Sequence, residues 1–81
     1  MKLPRDLSGE ELARALRRYG YEITRQSGSH MRLSSSFRGV QHHITIPTHS
    51  PLKIGTLSQI LSDVAGYLEL TRDELTEKLF N

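Results

Sequence analysis

Apolar side chains recur along this chain with two different periods, and each change of period marks the end of an element. Leu12, Ala15, Leu16 and Tyr19 fall on one side of a helix, with Arg14, Arg17 and Arg18 on the other. The preceding Leu7-Ser8-Gly9-Glu10-Glu11-Leu12 is a helix-start signature. Ser8 is placed to cap the amide of Glu11, Glu11 to reach back to Ser8, and Leu7 to pack on Leu12. Gly20 ends the helix, as the residue that best tolerates a left-handed cap.

From Tyr21 the period drops to two. Tyr21 to Gln26 alternates Tyr21, Ile23 and Arg25 with Glu22, Thr24 and Gln26. This places Arg25 on the face of Tyr21 and Ile23, or swung to the rim at the strand's end. After the Ser27-Gly28-Ser29 turn, a second strand from about His30 to Ser35 sets Met31 and Leu33 against His30, Arg32 and Ser34. Phe37 to Val40 forms a looser connection. The third strand, His42 to Ile46, alternates Ile44 and Ile46 with His43 and Thr45 until Pro47 stops it.

The helical period then returns. Leu57, Ile60, Leu61 and Val64 form an amphipathic stripe. Its start lies either at a Ser50 cap with Pro51 as first residue or nearer Lys53, and Gly66 is the expected end. Leu70-Thr71-Arg72-Asp73-Glu74-Leu75 is a second capping box, opening a short last helix that buries Leu75 and Leu79. The order α-β-β-β-α-α predicts an α+β domain spanning 1–81. Its three-stranded antiparallel sheet has one face covered by helices, the Met31/Leu33/Ile44/Ile46 side.

Composition narrows the function classes. With 81 residues and no cysteine, the chain is long enough for one core and lacks the disulfides that staple small secreted domains, so a cytoplasmic setting is expected. No apolar run approaches the ~20 residues of a membrane span. The net charge is only +2, but residues 1–40 hold eight Lys/Arg against four Asp/Glu, and the remainder holds three against five. A basic front half suits a polyanionic partner. The alternative is a solvated face of paired charges, since Glu10 and Arg14 stand at i, i+4 spacing.

The uncovered face of the sheet carries the candidate chemistry: His30, Arg32, His43 and Thr45. Imidazoles exchange protons near neutral pH, and a fixed cation beside one suits a phosphate-bearing substrate. Lys53 near a helix N-terminus is disfavoured by the helix dipole unless an anion shares the spot. The amides of Ile54, Gly55 and Thr56 would clamp that anion with the lysine, Gly55 allowing close approach. No metal is expected: His42 and His43 point to opposite faces, and a His30/His43/His49 set has no carboxylate or thiolate beside it. Tyr19, Tyr21 and Tyr67 read as packing residues. No Ser/His/Asp triad is legible.

The chain resembles the HicA-type (YcfA-like) toxins of bacterial toxin–antitoxin modules. The residues that carry the resemblance include Ser8-Gly9-Glu10-Glu11-Leu12, Arg17 to Glu22, Arg25-Gln26-Ser27-Gly28-Ser29-His30, His43 to Pro47 and Leu52-Lys53-Ile54-Gly55-Thr56-Leu57, with Ile60-Leu61. The Gly-Ser-His turn and the Lys-x-Gly-Thr-Leu helix start are specific together, in this order and at this separation. The resemblance implies a double-stranded-RNA-binding-domain-like α-β-β-β-α fold, here with a short extra C-terminal helix. It also implies ribosome-independent mRNA cleavage and inhibition by an antitoxin of the HicB kind. The family's catalytic histidine falls on His30, and the helix-start lysine that approaches phosphates in the related RNA-binding domains corresponds in place to Lys53.

Together these readings lead to a metal-independent endoribonuclease that needs no cofactor, with His30 as general base on a ribose 2′-hydroxyl. Arg25, Gly28, Ser29, Arg32, His43, Lys53, Gly55 and Thr56 are the expected RNA-binding residues, and His43 is also a candidate general acid. The expected partners are mRNA and the antitoxin, with no membrane, and the free protein is expected to be a monomer or weak dimer. The rival reading is a non-catalytic RNA-binding module of the same fold.

Overall fold

Local capping and a two-residue turn set the boundaries of most elements. The computed structural model describes residues 3–80; Met1, Lys2 and Asn81, which the charge tally and the 1–81 span include, lie outside them. Along the chain run α1 (Gly9–Leu16), a 3₁₀ turn (Arg17–Tyr19), β1 (Glu22–Ser27), β2 (His30–Ser35), β3 (His42–Pro47), α2 (Ile54–Leu68) and α3 (Arg72–Phe80). The expected α-β-β-β-α-α order is present.

Both capping boxes form. At α1 the Ser8 hydroxyl accepts from the Glu11 amide at 3.1 Å, and the Glu11 carboxylate accepts from the Ser8 amide at 2.9 Å. At α3, Thr71 and Glu74 make the same exchange at 3.0 and 2.8 Å. These backbone and hydroxyl bonds from Ser8 and Thr71 hold both carboxyls below the usual glutamate value. A carboxyl with a lowered folded-state pKa contributes stability that is full above its unfolded value and lost as pH falls through the folded one. We therefore expect Glu11→Gln and Glu74→Gln each to flatten the stability profile below about pH 4.5. Urea midpoints measured from pH 3 to 7 would check this; an unchanged acid limb in both variants would refute it.

The sheet has the order β1-β2-β3 and is antiparallel throughout. Met31, Leu33, Ile44 and Ile46, each 6% exposed or less, point into the core beneath the helices. Leu12, Leu16, Leu57, Leu61, Val64 and Leu75 close the core from the helical layer. Ala15 stands only half-buried, and Ala13 takes the inward position beside Leu12 and Leu16. Tyr21 is buried immediately before β1, while Tyr19 and Tyr67 pack at the core's margin.

β1 departs from its sequence pattern. It begins at Glu22, every residue of it is exposed, and Ile23 is 51% exposed. Ile23 stands opposite Leu33, but Arg25 stands opposite Arg32, so Thr24 is an extra residue in the ladder. A bulge of this kind reverses the alternation beyond it. Arg25 therefore leaves the face of Ile23 and joins that of Arg32, a correction to the placement strict alternation predicts.

α2 begins after Lys53, which is its N-cap, so the helix does not start at a Ser50 cap. It also runs past Gly66, the expected end, to Leu68. Burial explains the extension: Ala65 and Leu68 are 3% and 7% exposed, and stopping at Gly66 would leave Leu68 without its place in the core. The left-handed cap falls on Glu69 (φ 60°), closed by Leu70 N–H donating to Ala65 O at 2.9 Å. A glutamate in this conformation is strained, and its exposed ion pair with Arg38 (3.0 Å) offsets little. Glu69→Gly should raise stability by about 0.5–1 kcal/mol, readable as a higher denaturant midpoint.

Candidate active site

β2 carries His30 as its first residue, delivered by a tight hairpin. Ser27 pairs with His30, leaving Gly28 and Ser29 as the turn, and Gly28 occupies the left-handed region at φ 57°. The Ser29 carbonyl accepts from the Thr48 amide at 2.8 Å and from the Thr48 hydroxyl at 3.2 Å. These bonds tie the hairpin to the segment after β3, so His30 springs from a doubly anchored turn. Its side chain is exposed on the uncovered face, across from Pro47.

The next position on that face is Arg32, flanked by Arg25 of β1 and Thr45 of β3. Like charges directly opposite each other destabilise a strand pair. Among the described residues the only salt bridge is Arg38–Glu69, so neither arginine is neutralised by a carboxylate. The i, i+4 spacing of Glu10 and Arg14 does not produce an ion pair either. Two adjacent uncompensated guanidiniums beside an exposed imidazole form a place where an anion relieves the repulsion. The bulge at Thr24 brings this about.

His43 shares the face but not the site. It stands opposite Ser34, four residues along β2 from His30, which is about 13 Å at the rise of a strand. Its Nδ1 lies 2.6 Å from the Ser34 hydroxyl, which in turn is 3.4 Å from the Thr24 hydroxyl. At that separation the two imidazoles do not converge on one point of the face. His42 points the other way: its Nδ1 is 2.6 Å from the Tyr21 hydroxyl, and its ring stacks on Tyr67 at 4.7 Å. Burial, with Tyr67 and Asp63 adding smaller contributions, pushes the Tyr21 hydroxyl well above its usual pKa. That hydroxyl therefore remains protonated, and this pair is structural.

α2 supplies a wall to the site. The helix retraces β3, from Pro47 at its start to the His42–Tyr67 stack near its end. Between the two elements runs a groove of about 510 Å³, bounded by His30, Thr45 and Pro47 on the sheet and by Gly55, Thr56, Gln59, Ile60 and Asp63 on the helix. The structure thus unites His30 with Gly55 and Thr56, and places Arg25 and Arg32 on the adjoining face. Lys53 is exposed at the cap just before the groove's first helical residues, with no side-chain hydrogen bond closing the helix start.

Gln59 and Asp63 escape a reading of the sequence. Their signal was present in the helical spacing of Thr56, Gln59, Ile60 and Asp63 beside the core stripe, but only the helix's position against β3 makes it a wall. A separate groove of about 410 Å³ between α1 and β1 mixes Glu10 and Glu22 with Arg14 and Arg17 and contains no histidine. Among the described residues, no three His, Asp or Glu side chains are placed to hold a metal ion; His49 is exposed in the loop before α2.

The family model described as the HicA toxin of bacterial toxin–antitoxin systems matches residues 9–65, from the first residue of α1 to the fourth turn of α2. No curated protein and no solved structure matches the chain.

Proposed function

Because the chain belongs to the HicA family of bacterial toxins, we propose that it is an endoribonuclease that cuts mRNA, with His30 as its general base. The observation that carries this reading is an exposed imidazole on an anchored turn, beside two arginines that no carboxylate among the described residues neutralises. His30 removes the proton from a ribose 2′-hydroxyl, whose oxygen then attacks the adjacent phosphorus. The bond from phosphorus to the 5′-oxygen breaks, and that oxygen takes a proton from water. The products are a 2′,3′-cyclic phosphate and a 5′-hydroxyl. Arg32 and Arg25 stabilise the charge that builds on the phosphoryl oxygens, and donors aimed at developing charge are commonly the largest catalytic term. The nucleophile comes from the substrate, so the chain has only to move a proton and stabilise charge.

Lys53, with the amides at the start of α2, holds a neighbouring phosphate, and Gly55 lets the backbone approach it. Gly28 and Ser29 place the hairpin backbone against the strand. His43, further along the face, contacts another part of the same RNA.

A toxin of this kind has an antitoxin partner. We infer that this partner, of the HicB kind, silences the toxin by covering the His30 face. None of the described helices is long and apolar enough to cross a membrane, and mRNA as substrate places the activity in the cytoplasm.

Incubating the purified chain with RNA in the presence of a chelator tests the enzyme reading: discrete cut products are expected, and binding without cutting would leave only an RNA-binding module. Each phosphate-contacting arginine also contributes to the salt dependence of binding. Arg25→Ala and Arg32→Ala should each weaken binding across sequences and reduce the slope of log affinity against log salt by about one. Unchanged slopes in both variants would remove the RNA from this face.

A further inference from the structure

The groove between β3 and α2 has opposite electrical character at its two ends. At the Gly55 end lie the uncapped start of α2, Lys53 and His30, all suited to a phosphate. At the other end stands Asp63, eight residues along the helix and therefore about 12 Å away. No Lys or Arg among the described residues pairs with Asp63. A carboxylate without a counter-ion repels a phosphodiester and attracts hydrogen-bond donors instead. Between the two ends the helical wall presents the apolar side chain of Ile60, 6% exposed. Gln59 adds an amide that both donates and accepts. An anion-binding end, an apolar middle and an acceptor end are the parts of a site for one nucleotide, and the volume of about 510 Å³ accommodates one.

Resting on the ribonuclease reading above, we propose that Asp63 and Gln59 read the base of the nucleotide whose phosphate lies at His30, and that this base is guanine. Guanine presents two adjacent N–H donors, N1–H and the N2 amino group, in the geometry that matches both oxygens of a carboxylate. Adenine and cytosine place an acceptor nitrogen beside their single amino group, and uracil flanks its one N–H with carbonyls. Those acceptors would face the Asp63 carboxylate and be repelled. Reading of Watson–Crick edges on unstacked bases is the usual route to sequence preference in RNA.

The test uses the wild-type chain and the four 3′-nucleoside monophosphates, which contain no internucleotide bond to cut. In heteronuclear NMR titrations 3′-GMP should shift the amides of Thr45, Gln59, Ile60 and Asp63 and bind about tenfold or more tighter than the other three. Asp63→Ala should remove that preference while leaving the spectrum of the free protein otherwise folded. Equal binding of all four, no shifts at the groove, or an undiminished preference in the variant would overturn the proposal. A guanine preference in a chain that cuts no RNA would overturn the enzyme reading and leave this one standing. Cutting by a chain without any base preference would do the reverse.

Discussion

Replacing His30 with alanine is expected to slow RNA cleavage by at least about 100-fold, the lower bound for a positioned proton carrier. Stability should hardly change. The side chain is exposed, and its strand partners, Ser27 and Pro47, are held by backbone pairing and by the anchored turn. Surface truncations away from caps and cores usually fall within about 0.5 kcal/mol. The variant should still bind RNA, because the arginines and the helix start remain. Single-turnover cleavage and thermal unfolding, measured on one preparation, separate the two effects. Full activity in a folded variant would exclude His30 as the base, whereas loss of the fold would show that the ring has a structural role.

The second large effect is expected at a position far less conspicuous than a histidine. Gly9, the first residue of α1, is buried against the end of β3, and a Cβ there would lie 1.8 Å from the Pro47 carbonyl oxygen and 2.9 Å from its carbon. Both are backbone atoms and cannot rotate aside. The Gly9 amide also donates to the His49 carbonyl at 3.0 Å, and the Leu52 amide donates to Leu7 at 2.8 Å. These bonds lace the start of α1 to the segment that leads from β3 into α2. Gly9→Ala must prise the two apart, at a cost of about 3 kcal/mol or more, with a fall in melting temperature on the order of 15 °C. Pro47 stands across from His30, so the displacement would also disturb the site. Gly66→Ala is the control: that glycine sits inside α2 with open space where a Cβ would go, and alanine there should stabilise by about 0.5–1 kcal/mol. A Gly9 variant as stable as the wild type would mean that α1 docks less closely than described.

Much of this architecture was legible because local rules determine it. Ser8 with Glu11 and Thr71 with Glu74 announce helix starts by chemistry that acts within four residues. The alternation from His30 to Ser34 sorts β2 onto two faces without reference to any other element. The faces of His30, Arg32 and His43 could be read in this way, as could the buried stripe of α2. What could not be read depends on contacts between distant segments. The extra residue at Thr24 shows only once β1 is paired with β2, and without it Arg25 is assigned to the wrong face. The end of α2 depends on where Leu68 finds its pocket, so Gly66, a plausible stop by propensity, is passed over and Glu69 takes the strained cap. Gln59 and Asp63 become a site wall only because α2 runs back along β3. The distance that separates His43 from His30 likewise follows from the pairing of Ser34 with His43.

One property of the wild-type reaction bears most directly on the central claim, that an exposed imidazole beside uncompensated arginines lets RNA cut itself through its own 2′-oxygen. It is the chemistry of the new ends, determined by mass spectrometry of products formed in the presence of a chelator. The account predicts a 2′,3′-cyclic phosphate on one fragment and a 5′-hydroxyl on the other. A 3′-hydroxyl facing a 5′-phosphate would mean that water, not the ribose, attacks phosphorus, and would contradict it.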